Sequence, residues 1–337
     1  MARKIVGLAI PAVLWFAAAC TDRGPAAWGN ANSVIVLAAD TLWAAVEDTA
    51  RAVLEPPIFT VRDERTFELT QVAPGAPAWN DLRLFKQVLL IGKAGDPWIA
   101  ELIEDMDSIP ASRPAIVERE DIWARGQRVT LLLVPEEGAH EAVVAVLPEL
   151  HELLDRRFRE YTQRRMFTSG PAEGLRDTLR ATAGFSLLVP QVYRHSVRDS
   201  VHVFLNDQAI GEQLDRAVVV TWRRGVPDTL TPEAVLAWRD SLPRPEDAAQ
   251  VTERQPIEAR PIEVPGGRGL EVRGVWSNPP GEWPAAGPFI DRLIVCPEQD
   301  RTYLLDAWLF VPGKGKYEYI IQLETILNSF ECGRPTA

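Results

Sequence analysis

Residues 168–174, TSGPAEG, constrain the fold of this 337-residue chain more than any other stretch, because the pattern of apolar residues changes across them. Glycine and proline among small polar residues interrupt helix and strand alike. Before this segment, strand-like apolar runs alternate with helical periodicity. After it, strand-like runs follow one another with few helical interruptions. The predicted fold class is therefore α+β with two domains: a mixed α/β layer domain over residues 33–168, and over 169–331 an antiparallel sheet packed by helices, followed by a tail at 332–337.

Within the first half, SVIVLAA from position 33 reads as a buried strand. Asp40 can cap the helix after it, whose Leu42, Val46, Ala50 and Val53 recur at helical spacing until Pro56 and Pro57 end it. Further strands are expected at 87–91, 115–118 and 128–134, with a helix at 97–104. From 138 to about 166 the pattern is helical, with Val143, Leu147, Leu150, Leu154, Phe158 and Tyr161 on one stripe. Pro148 is expected to kink or restart that helix. The second half shows strand-like runs starting near 185, 200, 217, 269, 289 and 301. Helices are expected after Pro232 and over 316–330, where Ile320, Leu323, Leu327 and Phe330 form a stripe suited to covering a sheet face. Residues 243–266, rich in proline and charge, are expected to form a surface excursion.

The chain starts with Arg3 and Lys4, then runs from 5 to 19 without a charge, broken by Pro11. A spanning helix needs about 20 apolar residues, so the run is too short to cross and has instead the order of a secretory signal. Ala17, Ala18 and Ala19 lead into Cys20, and this ending resembles the bacterial lipoprotein cleavage motif. That resemblance implies cleavage before Cys20, a diacylglycerol on its sulfur and acylation of the new amino terminus; each buried CH₂ contributes about 0.8 kcal/mol to anchoring. The alternative is an ordinary signal with Cys20 incidental. Residues 20–32, small, polar and bearing Gly and Pro, read as a tether. The expected location is extracytoplasmic and lipid-anchored. Thr21, standing where some inner-membrane lipoproteins carry Asp, points to the periplasmic side of the outer membrane.

Without residues 1–19, about 318 residues remain with 34 basic against 47 acidic side chains, a formal charge of -13. Such a surface repels phosphate backbones, so no nucleic-acid partner is expected. Membrane affinity must come from the lipid, with an envelope protein as the candidate partner. Cys296 and Cys332 form a candidate disulfide in an oxidising compartment; two free thiols are the alternative, since spacing alone does not bring their Cα atoms together.

The blocks VIVLAADTLW, LRLFKQVLLIG, FSLLVPQVY, GVWSNPPGEWPAAGPFIDRLIV and DAWLFVPGKGKYEYIIQLETILNS, in this order and spacing, resemble the domain-of-unknown-function family DUF4837 of bacterial lipoproteins. Members often carry an Arg-Asn pair where this chain has Lys86 and Gln87. The family brings no reaction with it. The second half is more loosely similar to domains of the PsbP and Mog1 type, which implies an antiparallel sheet packed by helices and, by analogy of fold, a binding or assembly role.

No constellation of catalytic residues emerges. His151 and Asp155 lie one helical turn apart and imitate part of a zinc-protease helix, but Glu152 points to solvent and no third ligand is spaced to join them, so no metal site is expected. His195, Ser196, Asp199, Ser200 and His202 suggest a hydrolytic triad only superficially, because neighbours in one hairpin point in different directions. There is no G-x-S-x-G, and neither GKAGDP at 92 nor GGRG at 266 completes a phosphate or dinucleotide fingerprint; no cofactor is expected. Arg156, Arg157, Arg159, Arg164 and Arg165 read as a solvated helix face, with a basic patch for an anionic partner as the alternative. Trp276 and Trp283 flank a Pro/Gly-rich turn and are candidate contacts to a partner or ligand, or else a core residue and a pin for the loop. The function expected is that of a lipid-anchored envelope binding or assembly factor without an evident enzymatic activity. The alternative is an envelope hydrolase whose groups converge only in three dimensions.

Overall fold

A computed structural model describes residues 24–207, 213–244 and 249–333. Cys20 and the expected signal at 1–19 lie outside the described residues. The first lobe runs β1 (Ser33–Leu37), α1 (Asp40–Leu54), the short pair β2 (Pro57–Ile58) and β3 (Glu64–Arg65), β4 (Glu68–Val72), α2 (Trp79–Leu82), β5 (Gln87–Gly92), α3 (Pro97–Ile103), β6 (Ala115–Glu120), β7 (Arg128–Leu133) and α4 (Ala139–Met166). Its sheet has the order β4-β1-β5-β7-β6, parallel throughout except for β6. Alternate residues of each central strand go to opposite faces. Val34, Val36, Leu89, Ile91 and Leu132 pack under α1 and α4, while Ile35, Leu37, Leu90, Leu131 and Leu133 pack under α3.

Several expectations need correction. Asp40 does not cap α1: Ala39 is the residue before the helix, and Asp40, as its first residue, accepts from Gln71 Nε2 at 3.1 Å. Pro148 does not restart the helix: it lies inside α4, a single element of 28 residues. Described residues of the expected tether are docked: Ala27 N donates to the Arg125 carbonyl at 2.9 Å and Trp28 N to the Leu84 carbonyl at 3.1 Å. Trp28 also packs on Phe85, ring centroids 4.2 Å apart.

The second lobe contains α5 (Glu173–Thr182), β8 (Phe185–Ser186), β9 (Arg194–Arg198), β10 (Val201–Asn206), β11 (Asp215–Arg224), α6 (Pro232–Asp240), β12 (Val251–Thr252), β13 (Glu258–Val264), β14 (Gly267–Ser277), β15 (Ala286–Cys296), β16 (Arg301–Phe310), α7 (Tyr317–Asn328) and β17 (Glu331–Cys332). Its large sheet is antiparallel, in the order β14-β15-β16-β11-β10-β9, with β12 and β13 both paired to the outer edge of β14. The expected surface excursion at 243–266 therefore contains an edge strand, β13, where Pro261 is tolerated because one side of the strand is unpaired. One sheet face packs against α5 and α7, the other against α6.

Helix α7 joins the lobes. Ile320, Leu323, Ile326 and Leu327 belong to the core of the second lobe, whereas Tyr317 and Ile321 belong to that of the first, beside Leu154 and Phe158 of α4. Glu64 of the first lobe satisfies the start of α7, accepting from Lys316 N at 2.7 Å and pairing with its ammonium. No helix among the described residues is long and apolar enough to cross a membrane.

Candidate functional site

A cleft of about 660 Å³ opens where α4, α7 and the β13–β14–β15 edge meet. The sheet supplies its charges through register. Arg260 of β13, Glu271 of β14 and Arg292 of β15 are directly opposite one another across three adjacent strands, and Arg273, two residues on from Glu271, projects from the same face. Glu271 Oε1 accepts from Arg260 Nε at 2.9 Å and from Arg273 Nε and Nη2 at 3.0 and 2.8 Å, while Oε2 accepts from Arg292 Nε at 2.8 Å. One carboxylate thus holds three guanidinium groups.

Helix α7 adds Glu324, which accepts from Arg273 at 2.7 Å and from Arg159 of α4 at 2.6 Å, so this ion pair spans the lobes. Arg159 Nε donates to Asp155 at 2.7 Å, and the Tyr317 hydroxyl donates to the other oxygen of Asp155. Asn328 Oδ1 accepts from Arg292 Nη2 at 2.7 Å. Pro57, Ile58, Phe59 and Ile320 give the cleft an apolar wall.

Burial alone would raise the Glu271 carboxyl, but Arg273 and Arg292 reverse that and hold it below its ordinary value. Burial lowers the Arg292 guanidinium against the pull of Glu271. Burial raises the Tyr317 phenol, and its bond to Asp155 raises it further. A phenol that donates to a carboxylate is a poor nucleophile, and the Thr66 hydroxyl points to the Leu54 carbonyl at 3.5 Å. The arrangement is built to grip charge.

The residues singled out from sequence are brought together at some positions and kept apart at others. His151 packs edge-to-face on Phe67, ring centroids 6.0 Å apart, and Asp155 is committed to Tyr317 and Arg159, so the two do not form a ligand pair. His195 and His202 face each other across the β9–β10 hairpin, Nε2 to Nδ1 at 3.2 Å, and burial lowers both. Asp199 occupies the turn of that hairpin with a positive φ of 54°. No group of three or more potential metal ligands occurs among the described residues. The arginine run on α4 is not a solvated face throughout. Arg157 is 7% exposed and bonds Glu118 and Thr130, and Arg159 enters the cleft.

Trp276 is buried at 4% exposure against Trp308 and Phe310, which removes it as a partner contact. Trp283, 62% exposed, leans edge-on against Phe310 beside a broad depression of about 920 Å³. Cys296 and Cys332 form a disulfide with Cα atoms 5.7 Å apart; Cys332 lies in β17 and not in a loose tail. Lys86 donates to the Gly29 carbonyl at 2.8 Å, and Gln87 is buried at the start of β5. A smaller cavity of about 390 Å³ sits at the carboxyl ends of β1, β5 and β7, where Lys93 pairs with Glu136 at 2.9 Å and Asp96 accepts from Lys93 N at 2.7 Å.

The class defined by this geometry is a two-lobed α+β protein with a guanidinium-lined cleft beneath a shared helix. Over residues 173–329, from α5 to just past α7, the chain matches the model of the family described as Domain of unknown function (DUF4837). The blocks VIVLAADTLW and LRLFKQVLLIG of the first lobe lie outside that match. The chain has no match among curated proteins. Among solved structures it is similar to the Ran-binding protein Mog1p of Saccharomyces cerevisiae, at 14% identity over 45% of this chain and 91% of that one, with a TM-score of 0.29. A point mutant of Mog1 gives the same identity and score, with 92% of its chain covered.

Proposed function

We propose that this chain is a binding protein of the bacterial envelope, anchored by lipid on Cys20 at the periplasmic side of the outer membrane, and that the cleft between its lobes is where it engages its partner or ligand. The observation that carries this reading is the cleft itself: clustered guanidinium and carboxylate groups from both lobes, with no nucleophile set beside a base among the described residues. The hydrolase alternative would place His151 or His195 in such a cleft with a second acid or base, and neither histidine lines it.

The test uses the full-length protein in native membranes. A photoreactive side chain at Ala259, exposed on the cleft rim, is compared with one at Glu152, exposed on α4. A discrete adduct from position 259 that is absent from 152 is expected, as is loss of acyl labelling in Cys20→Ser. Identical adducts from the two positions, or none, would overturn the role of the cleft. Unchanged labelling would overturn the anchor.

A further inference from the structure

The cleft holds more hydrogen-bond donors than its own carboxylates use. Arg159 donates through Nε and Nη1, while Arg260, Arg273 and Arg292 donate through Nε and Nη2. The remaining terminal nitrogen of each, Nη2 of Arg159 and Nη1 of the other three, makes no hydrogen bond among the described residues. Guanidinium groups stay charged at any physiological pH and cannot become acceptors, so these donors persist whatever the solvent does.

A fastening between two lobes needs one ion pair. Here the sheet sets three arginines around one carboxylate and a fourth reaches in from the other lobe. The Arg292 side chain, at 5% exposure, gives up most of its hydration to stand there. Four arginines there meet Glu258, Glu271 and Glu324 of the lining and Asp155 behind Arg159, so the charges balance and the wall offers an anion its unused donors. Ile58, Phe59 and Ile320 line the same cleft, and apolar neighbours lower the local dielectric, which strengthens a charged hydrogen bond made beside them. The volume lies within the range of about 300–1,000 Å³ typical of small-molecule sites.

We propose that the cleft receives a small multivalent oxyanion, with carboxylate or phosphate groups, on the free terminal nitrogens of Arg159, Arg260, Arg273 and Arg292. This inference rests on the binding-protein reading and gives it a ligand class. Planar guanidinium forks match the paired oxygens of carboxylate and phosphate, and a ligand bearing two or more such groups can reach both lobes at once.

Calorimetric titration and thermal unfolding of the full-length protein in detergent, with citrate or inorganic phosphate as probes and sodium chloride at matched ionic strength as control, test the proposal. Binding of at least one probe that saturates below about 1 mM is expected, weakened at least tenfold in Arg260→Gln and in Arg159→Gln and partly restored in Arg260→Lys. Arg260 is 62% exposed and shares Glu271 with Arg273, so its variant retains the fold. The citrate and phosphate arms separate a carboxylate ligand from a phosphate one. No saturation, an equal response to chloride, or wild-type affinity in both glutamine variants would overturn the proposal. If neither probe binds while the Ala259 adduct forms, the oxyanion falls and the binding reading stands. If a probe binds and no adduct forms, a small-ligand site stands without the envelope partner.

Discussion

Asp291 and Asp306 are both fully buried, directly opposite on β15 and β16, on the sheet face covered by α6. Burial and the neighbouring Asp306 push the Asp291 carboxyl well above its ordinary 3.8. Burial would raise Asp306 too, but Arg239 and Arg244 outweigh it and hold that carboxyl low. Arg239 is itself fixed by Thr252 at 2.8 Å and Gln250 at 2.7 Å. A carboxyl whose folded pKa is raised gives stability that is present below its unfolded pKa and lost as pH rises through the folded one. Asp291→Asn is therefore expected to flatten the fall of stability above about pH 4, measured by denaturant unfolding across pH; an unchanged slope would contradict this. Asp306→Ala, which strands two cations, is expected to cost about 3–5 kcal/mol, and a loss under about 1 kcal/mol would contradict the pairing. The sequence shows one aspartate in each of two apolar runs, FIDRLIV and RTYLLDAWLFVP, but the register that makes them face each other is a property of the folded sheet.

At the scale of elements, the central strands and long helices were legible because burial writes itself as apolar runs and helical spacing. β1, β5 and β7 are fully or almost fully buried, and α4 and α7 carry clear stripes. The strands that escaped notice lie on edges. β4, ELTQV, closes one side of the first sheet, and β13, EARPIEV, flanks β14; both are half wet and polar, so they carry no continuous apolar run. The last element is held by covalent means. The disulfide ties the end of β15 to β17, which pairs with β8 through Cys332 and Phe185, beside fully buried Phe330. Spanning 36 positions, it is expected to contribute about 3–4 kcal/mol. Unfolding with and without reductant measures this, and an unchanged midpoint would contradict it.

At the scale of the whole molecule, α7 lies in two cores at once and the cleft forms beneath it. This is why the candidate site was hidden in the sequence. Arg159 looked like one more charge on a helix, yet its partner Glu324 is 165 positions away, and Glu271 and Arg273 are single charges in a strand whose meaning depends on β13, β15 and α7 coming to it. Alternating charge within GLEVRGVW was the one local sign of a polar sheet face. The central claim, that this junction receives an oxyanion, is tested most directly by hydrogen exchange on the full-length protein with and without citrate or inorganic phosphate, whichever saturates in the titration. Slowed exchange is expected over residues 258–264 and 317–328, with residues 39–45 and 92–98, around the smaller cavity, unchanged. Unaltered exchange at the junction, or slowing confined to the smaller cavity, would contradict it.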